Sequence, residues 1–407
     1  MHYLVFNAGS SSLNYKVFNY QKAGKANVVF KGKAHRVGVK GVEPSFIENV
    51  YNGHSEKIQV PIADHKTAAV LASNYIKENK IPVDAVGHRF VHGGEYFKRS
   101  SLINAQSMKK IKECLPLAPL HNPISFNVIK ESKKAFSHVP HYLVIDSAFH
   151  SSLPEKAYTY PLPKEIITQY KFRRFGFHGI SYSYICDQLP SLLKKPLKKI
   201  NAIICHLGTG GASVALIENG ISIDTSMGFS PNSGLIMSTR SGDIDPMVIL
   251  YLIQKCGLSA HQVETLLNNK SGLRGISGFS SDITDIIAKL KSKGFAKKAK
   301  LAFDMYIHRL KSYIGSYVMV LQGKIDALIF TDDIGVGNPL IRQEACQSLE
   351  WAGIFIDKTK NNKAPANVAS FIQAQKSSVS IISMPTQEEL MICLEGGRLL
   401  GGKNEKR

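Results

Sequence analysis

The sequence predicts an α/β protein built from two similar halves. Three apolar strands are each followed by a segment rich in glycine and small polar residues. The first two strands lie about half a chain apart, and each is expected to return as a hairpin, which indicates a duplicated architecture. Segments with helical periodicity lie between them, and strands that alternate with helices are typical of α/β folds. The strand–turn pairs are 3–6 with 7–12, 202–205 with 206–213, and 327–330 with 331–337.

The helical segments have recognisable beginnings and apolar faces. The segment 64–80 begins at Asp64, which is suited to capping a helix, and carries Leu71, Tyr75 and Ile76 on one side. Further helices are expected at 301–322, 339–351 and 386–400.

Two or three domains are expected from the chain length. We place their boundary near 151–154, where an apolar strand gives way to a proline-containing stretch. The prediction is an N-terminal domain, 1–150, joined by the C-terminal helix 386–407, and a C-terminal domain, 151–385.

The composition is that of a globular protein without a membrane partner. Apolar residues make up 44% of the 407 residues, and no apolar run reaches the roughly 18 residues of a membrane span. The first residues lack the features of a signal peptide. The six cysteines are scattered, with no closely spaced pair, so a disulfide framework or a metal cluster is not expected. We therefore expect a cytoplasmic location.

The formal net charge of +20 is the unusual feature of the composition. A basic chain attracts nucleic acids, anionic membranes or small anions. The lysine runs at 194–199 and 289–300 are not interleaved with aromatic residues, as a single-strand-binding surface would require. We interpret them as solvated charge runs, and the field as one that favours anionic substrates, with no nucleic acid as partner.

Four charged residues stand beside glycines or at strand ends: Arg89, Asp146, His178 and Arg240. Taken singly, each has a simple structural reading as an ion pair, a satisfied histidine or a turn cap. Together they supply what phosphoryl transfer needs, because guanidinium and imidazole groups neutralise the charge on the moving group. Glycine-rich turns add backbone N–H groups that bind phosphate.

Motifs spread along the whole chain resemble the acetate kinase family signature. The resemblance runs in order from residue 3 to about residue 395. The motifs are Asn7-Ala8-Gly9-Ser10-Ser11-Ser12-Leu13, His121-Asn122-Pro123, Asp146-Ser147-Ala148-Phe149-His150, Arg174-Phe175-Gly176-Phe177-His178-Gly179, Asp224-Thr225-Ser226-Met227-Gly228-Phe229, Thr239-Arg240-Ser241-Gly242-Asp243 and Pro385-Thr386-Gln387-Glu388-Glu389-Leu390.

The resemblance implies a fold of two duplicated actin/sugar-kinase-like (ribonuclease H-like) α/β domains with a nucleotide cleft between them. The N-terminal domain would be the acyl-substrate side and the C-terminal domain the nucleotide side. The reaction would be reversible transfer of the γ-phosphoryl group of ATP to acetate, with Mg²⁺, or alternatively Mn²⁺, as cofactor. Such kinases are usually homodimers.

The resemblance also implies roles for individual residues. Catalytic roles fall to Asp146, His178 and Arg240, and metal binding to Asn7 and Glu388. Substrate binding falls to Arg89, which would hold the carboxylate, and to a small methyl pocket of Val91, Leu120, Phe177 and Pro231. Nucleotide binding falls to His206, Leu207, Gly208, Thr209, Gly210, Asp282, Ile283, Thr284, Asp333, Ile334, Gly335, Val336 and Gly337.

Departures from the family pattern cluster on the nucleotide side. Asn14 replaces the family's lysine, and Lys16 lies on the same strand face, from where it would reach a phosphate. Thr209 replaces an asparagine, and Thr284 replaces a basic residue. Tyr182 replaces a histidine that follows the Phe177-His178 motif.

The largest departure is Asp332-Asp333 where the family has Ala-Gly, followed by Gly335-Val336-Gly337 where it has Gly-Glu-Asn. A carboxylate 4 Å from a phosphate would cost roughly 4 kcal/mol, or about a thousandfold in affinity. Asp333 would therefore have to bind an additional magnesium ion or turn away. Otherwise ATP binding is weakened or lost.

The sequence leaves four functions open. The leading one is an active acetate kinase. The alternatives are a kinase with another short-chain acyl acceptor, such as propionate, or another phosphate donor; a catalytically weak nucleotide-binding relative; and a nucleic-acid-binding protein driven by the +20 charge.

Overall fold

The computed structural model describes residues 1–21, 24–39, 41 and 43–401. They divide into two compact units. Unit 1 contains the described residues of 1–151, 178–184 and 387–401, and unit 2 contains residues 152–177 and 185–386. Across the described ranges, each helix is too short or too polar to cross a membrane.

Each unit is built on one mixed sheet. Unit 1 has an eight-stranded sheet in the order β5-β4-β3-β2-β1-β6-β8-β7, and unit 2 a six-stranded sheet in the order β11-β10-β9-β12-β14-β13. The strands are β1 His2–Ala8, β2 Ser12–Gln21, β3 Lys25–His35, β4 Phe46–Tyr51, β5 His54–Gln59, β6 Ala85–Phe90, β7 Ser101–Leu102, β8 His141–Ile145, β9 Ala202–Gly208, β10 Gly211–Glu218, β11 Ile221–Thr225, β12 Ala327–Thr331, β13 Ser370–Phe371 and β14 Ser380–Ser383.

The two sheets share one topology. In unit 1 the hairpin β1–β2 continues antiparallel into β3, while β6 lies parallel to β1 and β8 parallel to β6. In unit 2 the hairpin β9–β10 continues antiparallel into β11, while β12 lies parallel to β9 and β14 parallel to β12. Each sheet ends in a short antiparallel edge strand. The predicted duplication and the mixed α/β class are therefore confirmed.

The helices lie between the strands in sequence. They are α1 His65–Glu78, α2 Ala105–Glu113, α3 Asn122–Ala135, α4 Glu155–Tyr158, α5 Lys164–Tyr170, α6 Gly179–Leu193, α7 Pro246–Gln254, α8 Ala260–Thr265, α9 Gly272–Ser277, α10 Ile283–Ala288, α11 Ala296–Val320, α12 Asp332–Gly337, α13 Pro339–Cys346, α14 Lys358–Lys363 and α15 Glu388–Leu400. Short 3₁₀ turns lie at Leu115–Leu117, Asp146–Ser152, Leu197–Lys199 and Glu350–Ala352, and a π-helical turn at Leu266–Lys270.

Local chemistry explains the helix beginnings that the sequence predicted. Asp64 caps α1, because its carboxylate accepts the Thr67 N–H at 2.7 Å.

The C-terminal helix α15 packs on the sheet of unit 1, where the Tyr142 hydroxyl donates to the Ile392 carbonyl at 3.1 Å. Gly396 makes this approach possible, since a β-carbon there would collide with the Tyr142 ring.

Three expectations about local structure were wrong or incomplete. The turn expected at 206–213 is only Thr209 and Gly210, because β9 and β10 pair as far as Gly208 and Gly211. The segment 331–337 was expected to be a turn, but Thr331 ends β12 and Asp332–Gly337 form the short helix α12, entered through Asp332 at φ +68°. The strands β3–β5 were not predicted from the sequence, and β4 and β5 make the sheet of unit 1 two strands wider than that of unit 2.

Candidate active site

The topology of unit 1 gathers three polar residues at one edge of its sheet. The strands β1, β6 and β8 are parallel, so their carboxyl ends meet at the same edge, where α/β proteins usually bind ligands. Asn7 lies near the end of β1, Arg89 near the end of β6, and Asp146 directly after β8.

Arg89 is the centre of this group. Its Nε and one terminal nitrogen each lie 2.9 Å from Oδ2 of Asp146. The other terminal nitrogen donates to Oδ1 of Asn7 at 3.1 Å and lies 3.5 Å from Glu388. Burial by itself would lower the pKa of Arg89, but the charges of Asp146 and Glu388 outweigh it and raise the pKa above its ordinary value. Arg89 is therefore a permanent cation.

Two glutamates at the beginning of α15 complete the group, which we call the unit 1 polar cluster: Asn7, Lys16, Arg89, Asp146, Glu388 and Glu389. The amide nitrogen of Asn7 donates to Glu388 at 3.0 Å and to Glu389 at 2.9 Å. Lys16 pairs with Glu389 at 3.1 Å. Glu389 was not singled out in the sequence, although it adjoins Glu388. Lys16, which was expected to reach a phosphate, is paired in unit 1 with the carboxylate of Glu389.

The donors of the unit 1 polar cluster suit Mg²⁺. Carboxylate and amide oxygens are hard ligands, and Mg²⁺ is usually held by one or two carboxylates together with water and phosphate oxygens. Asn7 and Glu388 provide one amide oxygen and one carboxylate, and they already contact each other. Across the described ranges no three His, Cys, Asp or Glu side chains form a complete metal cage, so a magnesium ion here would depend on additional water or phosphate ligands.

The chain that follows β6 is held in place by two of the family motifs. The Asn122 side chain accepts the His92 N–H at 3.1 Å and donates to the His92 carbonyl at 3.0 Å. The Ser147 N–H donates to the Val91 carbonyl at 3.2 Å. Val91 is buried, whereas Leu120, the other predicted pocket residue of unit 1, is half exposed.

His178 lies at the beginning of α6 in a left-handed conformation, with φ +58°. The following residue must be glycine, because a β-carbon at Gly179 would collide with the Asp146 carbonyl. The Ile180 N–H points to Oδ1 of Asp146 at 3.4 Å. The backbone around His178 is thus fixed against Asp146. Tyr182 is buried one turn later.

In unit 2, Arg240 lies on a tight loop. The Met237 N–H donates to the Arg240 carbonyl at 3.2 Å, and Arg240 donates to the Pro231 carbonyl at 3.3 Å. Burial lowers the pKa of Arg240 from its ordinary value. The loop therefore brings Arg240 and the predicted pocket residue Pro231 together. Phe177 is a buried residue of the same unit.

The glycine turn of unit 2 meets the altered loop. Oδ1 of Asp333 accepts the Thr209 N–H at 2.9 Å, and Oδ2 accepts the Thr209 hydroxyl at 2.6 Å. The neighbouring Asp332 lies 3.1 Å from Nε2 of His206 and against Gly208, where a β-carbon would collide with it. The two carboxylates are thus turned onto the chain's own β9–β10 hairpin.

Sequence reasoning missed Arg342, which fixes the backbone of α12. Its guanidinium donates to the carbonyls of Gly335 at 2.8 Å and Val336 at 2.7 Å, and to Asn361. The side chain is completely buried, and burial lowers its pKa to about 10. An arginine in a helical segment looks like a surface residue, so the sequence carried no signal for this role.

The remaining predicted nucleotide residues have local structural roles in unit 2. Asp282 caps α10 by accepting the Thr284 N–H at 2.7 Å, and the Ile283 side chain is buried. Leu207 and Ile334 are also buried, whereas Gly210 and Gly337 are exposed. Their contact with a nucleotide stays a prediction.

Comparison with known proteins gives one consistent result. A family model described as the acetokinase family matches residues 2–394. Among curated relatives, the acetate kinase of Caldicellulosiruptor saccharolyticus is 42% identical and covers 98% of this chain and 100% of its own. The acetate kinase of Thermotoga maritima is 40% identical, covering 96% of this chain and 97% of its own.

Solved structures of an acetate kinase and a propionate kinase are similar to this chain over nearly their whole length. An acetate kinase from Entamoeba histolytica superposes with a TM-score of 0.89 at 42% identity, over 98% of this chain and 100% of that one. A propionate kinase from Francisella tularensis subsp. tularensis superposes with a TM-score of 0.87 at 35% identity, over 97% of this chain and 98% of that one.

Proposed function

Because the chain belongs to the acetokinase family, we propose that it transfers the γ-phosphoryl group of ATP reversibly to acetate, giving acetyl phosphate and ADP. The observation that carries the proposal is the unit 1 polar cluster, in which the residues expected to bind carboxylate and metal contact one another. Arg89 and Asp146 are its inner members. Such a cluster is costly to desolvate, and perturbed charges of this kind are concentrated at functional sites.

In the proposed reaction an acetate oxygen attacks the γ-phosphorus, and the bond from that phosphorus to the β,γ-bridging oxygen breaks. Arg89 holds the acetate carboxylate, since 17% of its side chain is exposed while its inner nitrogens are fixed by Asp146. His178 and Arg240 neutralise the charge on the equatorial oxygens. The protein's main contribution is position and electrostatics.

We also propose that Asn7 and Glu388 hold a magnesium ion when ATP is bound. When bound, the ion neutralises charge on the nucleotide phosphates. The role of Glu389 and Lys16 is to keep Asn7 oriented, because Glu389 accepts from the Asn7 amide and is itself paired with Lys16.

We propose that the predicted methyl-pocket residues, of which Val91 and Leu120 belong to unit 1, set the preferred acid. Adding a methylene to a substrate in a pocket of fixed size changes the free energy of binding by about 1–3 kcal/mol. We propose a preference for acetate over propionate and for propionate over butyrate. The likeness to a propionate kinase makes propionate the main competitor.

The proposed assembly is a homodimer that uses α7. This helix has the sequence Pro246-Met-Val-Ile-Leu-Tyr-Leu-Ile-Gln254, and none of its residues is buried. Met247 and Tyr251 are each 63% exposed. An apolar helix of this kind marks an interaction surface. Light scattering should give twice the mass of the chain, and Tyr251→Glu should give a monomer; a monomeric wild type would contradict the proposal.

A cytoplasmic location is proposed as well, because the two substrates of the reaction are cytoplasmic metabolites. All six cysteines are free thiols in the structure, which suits a reducing compartment.

The function is tested by trapping acyl phosphate with hydroxylamine during incubation with Mg²⁺, ATP and acetate, propionate or butyrate. We expect hydroxamate from acetate, less from propionate, and about a hundredfold less product in Arg240→Ala. The matched control is Arg398→Ala, an exposed residue in an i,i+3 pair with Glu395, which should retain activity. No hydroxamate from a folded wild type would contradict the proposal.

Another phosphate donor is the second candidate, favoured by the contact of Asp333 with Thr209. It predicts hydroxamate from acetate with a different phosphorylated donor, and none with ATP.

A further inference from the structure

We propose that Asp333 is a built-in competitor of the nucleotide: its carboxylate occupies the anion-binding donors of the β9–β10 turn, and a phosphate of ATP binds only when this side chain moves away. The inference rests on the proposed function, in which this turn faces ATP. It makes Asp333 a residue that sets affinity and selectivity for the phosphate donor.

The contacts of Asp333 are those of a bound anion. Its carboxylate accepts the Thr209 N–H at 2.9 Å, the Thr209 hydroxyl at 2.6 Å and the Ile334 N–H at 2.9 Å. Backbone N–H groups in glycine turns, together with a nearby hydroxyl, are the donors that phosphate oxygens also use. One set of donors cannot serve two anions, and a carboxylate beside a phosphate repels it.

The two neighbouring aspartates are held in different ways. Asp332 lies against Gly208 and pairs with the buried His206, at 3.1 Å. Asp333 lies on the outer side of the turn and is exposed, as is Thr209. Asp332 is therefore part of the hairpin's packing, whereas Asp333 is held by Thr209 and the Ile334 N–H, on the exposed side of the turn.

The backbone that follows Asp333 in α12 is held in place by buried hydrogen bonds. Arg342 donates to the carbonyls of Gly335 and Val336 at 2.8 and 2.7 Å, and the Ile334 side chain is buried. Release of the Thr209 donors consequently needs only a rotation of the Asp333 side chain, and no refolding of α12. The Asp333 carboxylate therefore weakens ATP binding but leaves the β9–β10 turn, which would bind the phosphate, intact.

The experiment compares the KM values for ATP and acetate in the wild type, Asp333→Asn, Asp333→Gly and the control Asp357→Asn. Asn keeps an acceptor for Thr209 but removes the charge. Asp357 is an equivalent capping carboxylate that accepts the Thr359 and Lys360 N–H groups of α14. Titration of each protein with Mg²⁺ and ADP by calorimetry gives an affinity that does not depend on catalysis.

We expect the KM for ATP to fall about tenfold in Asp333→Asn and Asp333→Gly, because the screened repulsion of an exposed carboxylate is removed. The KM for acetate should not change, and Asp357→Asn should match the wild type. The ADP affinity should rise in parallel.

Three results would overturn the inference. An unchanged KM for ATP in active Asp333→Asn would make Asp333 a structural cap alone. A raised KM would mean that Asp333 assists the nucleotide, for example through a metal ion. If neither the wild type nor any folded variant bound ADP or formed acyl phosphate, the proposed function would fail together with the inference, a result distinct from the first two.

Discussion

The unit 1 polar cluster and the β9–β10 turn of unit 2 hold charge in contrasting ways. In the cluster, Asp146 is completely buried and Arg89 is 17% exposed, and each member has charged partners on other strands or on α15. At the turn, Asp333 and Thr209 are both exposed and satisfy each other. Substituting one member of a buried charged cluster leaves the other charges buried without a partner, which is costly. An exposed pair can be substituted at a smaller cost, because water solvates the remaining residue.

This difference explains where the chain departs from the family pattern. The predicted residues Asn7, Arg89, Asp146 and Glu388 are retained together, because a buried charge without its partner is strongly destabilising. Thr209 and Asp333 are both substitutions relative to the family pattern, and they are bonded to each other. The two departures at this turn are therefore hydrogen-bond partners in the fold.

The largest expected effect is on the reaction rate and concerns Asp146, the buried carboxylate of the unit 1 polar cluster. In Asp146→Asn, kcat should fall by about a thousandfold, since Arg89 and the Ile180 N–H lose the charge that orients them. Hydroxylamine trapping measures the rate, and circular dichroism confirms that the protein is folded. The control Asp64→Asn keeps a helix cap at the start of α1 and should retain the wild-type rate. Equal rates in the two variants would remove the proposed distinction between buried and exposed carboxylates.

A smaller effect, on stability, is expected at Arg342, which fixes the backbone of α12, the helix that carries Asp333. Arg342→Met should lower the free energy of unfolding by about 3 kcal/mol, because the carbonyls of Gly335 and Val336 lose their buried donor. Urea unfolding measures this change, with the exposed Arg274→Met as control. An unchanged unfolding midpoint would show that the backbone of α12 does not depend on this arginine.

The smallest effect concerns pH and two buried histidines of unit 1, His88 and His141. Nε2 of His141 donates to the Phe136 carbonyl at 3.0 Å, so Nδ1 accepts from Nε2 of His88 at 3.1 Å. Burial lowers the pKa of His141 to about 4. Between pH 6.5 and 4 the unfolded chain binds a proton at His141 that the folded chain does not, so this stability is complete above pH 6.5 and falls as the pH falls. From pH 6.5 to 5 the loss should be about 2 kcal/mol.

Urea unfolding of the wild type and His141→Gln at several pH values measures that loss. The variant should show a shallower pH dependence over the same window. Parallel curves for the two proteins would exclude His141 as the source.

The sequence predicted the elements whose signals are local. The two hairpins follow from apolar strands around glycine turns, and α1 follows from Asp64 and an apolar period. It also singled out Asn7, Arg89, Asp146 and Glu388, because the motifs that carry them are distinctive, and the structure brings these four residues into contact.

Long-range pairing is what the sequence could not give. Thr209 and Asp333 are 124 positions apart, and each alone looks like the loss of a family residue. Lys16 looked able to reach a phosphate, whereas its partner in the fold is Glu389, 373 positions away. Such pairs depend on which strands become neighbours, and no local propensity encodes that.

The most direct test of the account is phosphorus NMR of the wild type with Mg²⁺, ATP and acetate, repeated with Asp146→Asn. The proposed reaction predicts that the ATP signals decline while acetyl phosphate and ADP signals grow in equal amounts, and that the variant shows neither change on the same timescale. ATP that stays intact with the folded wild type, or that yields inorganic phosphate without acetyl phosphate, would contradict transfer to a carboxylate.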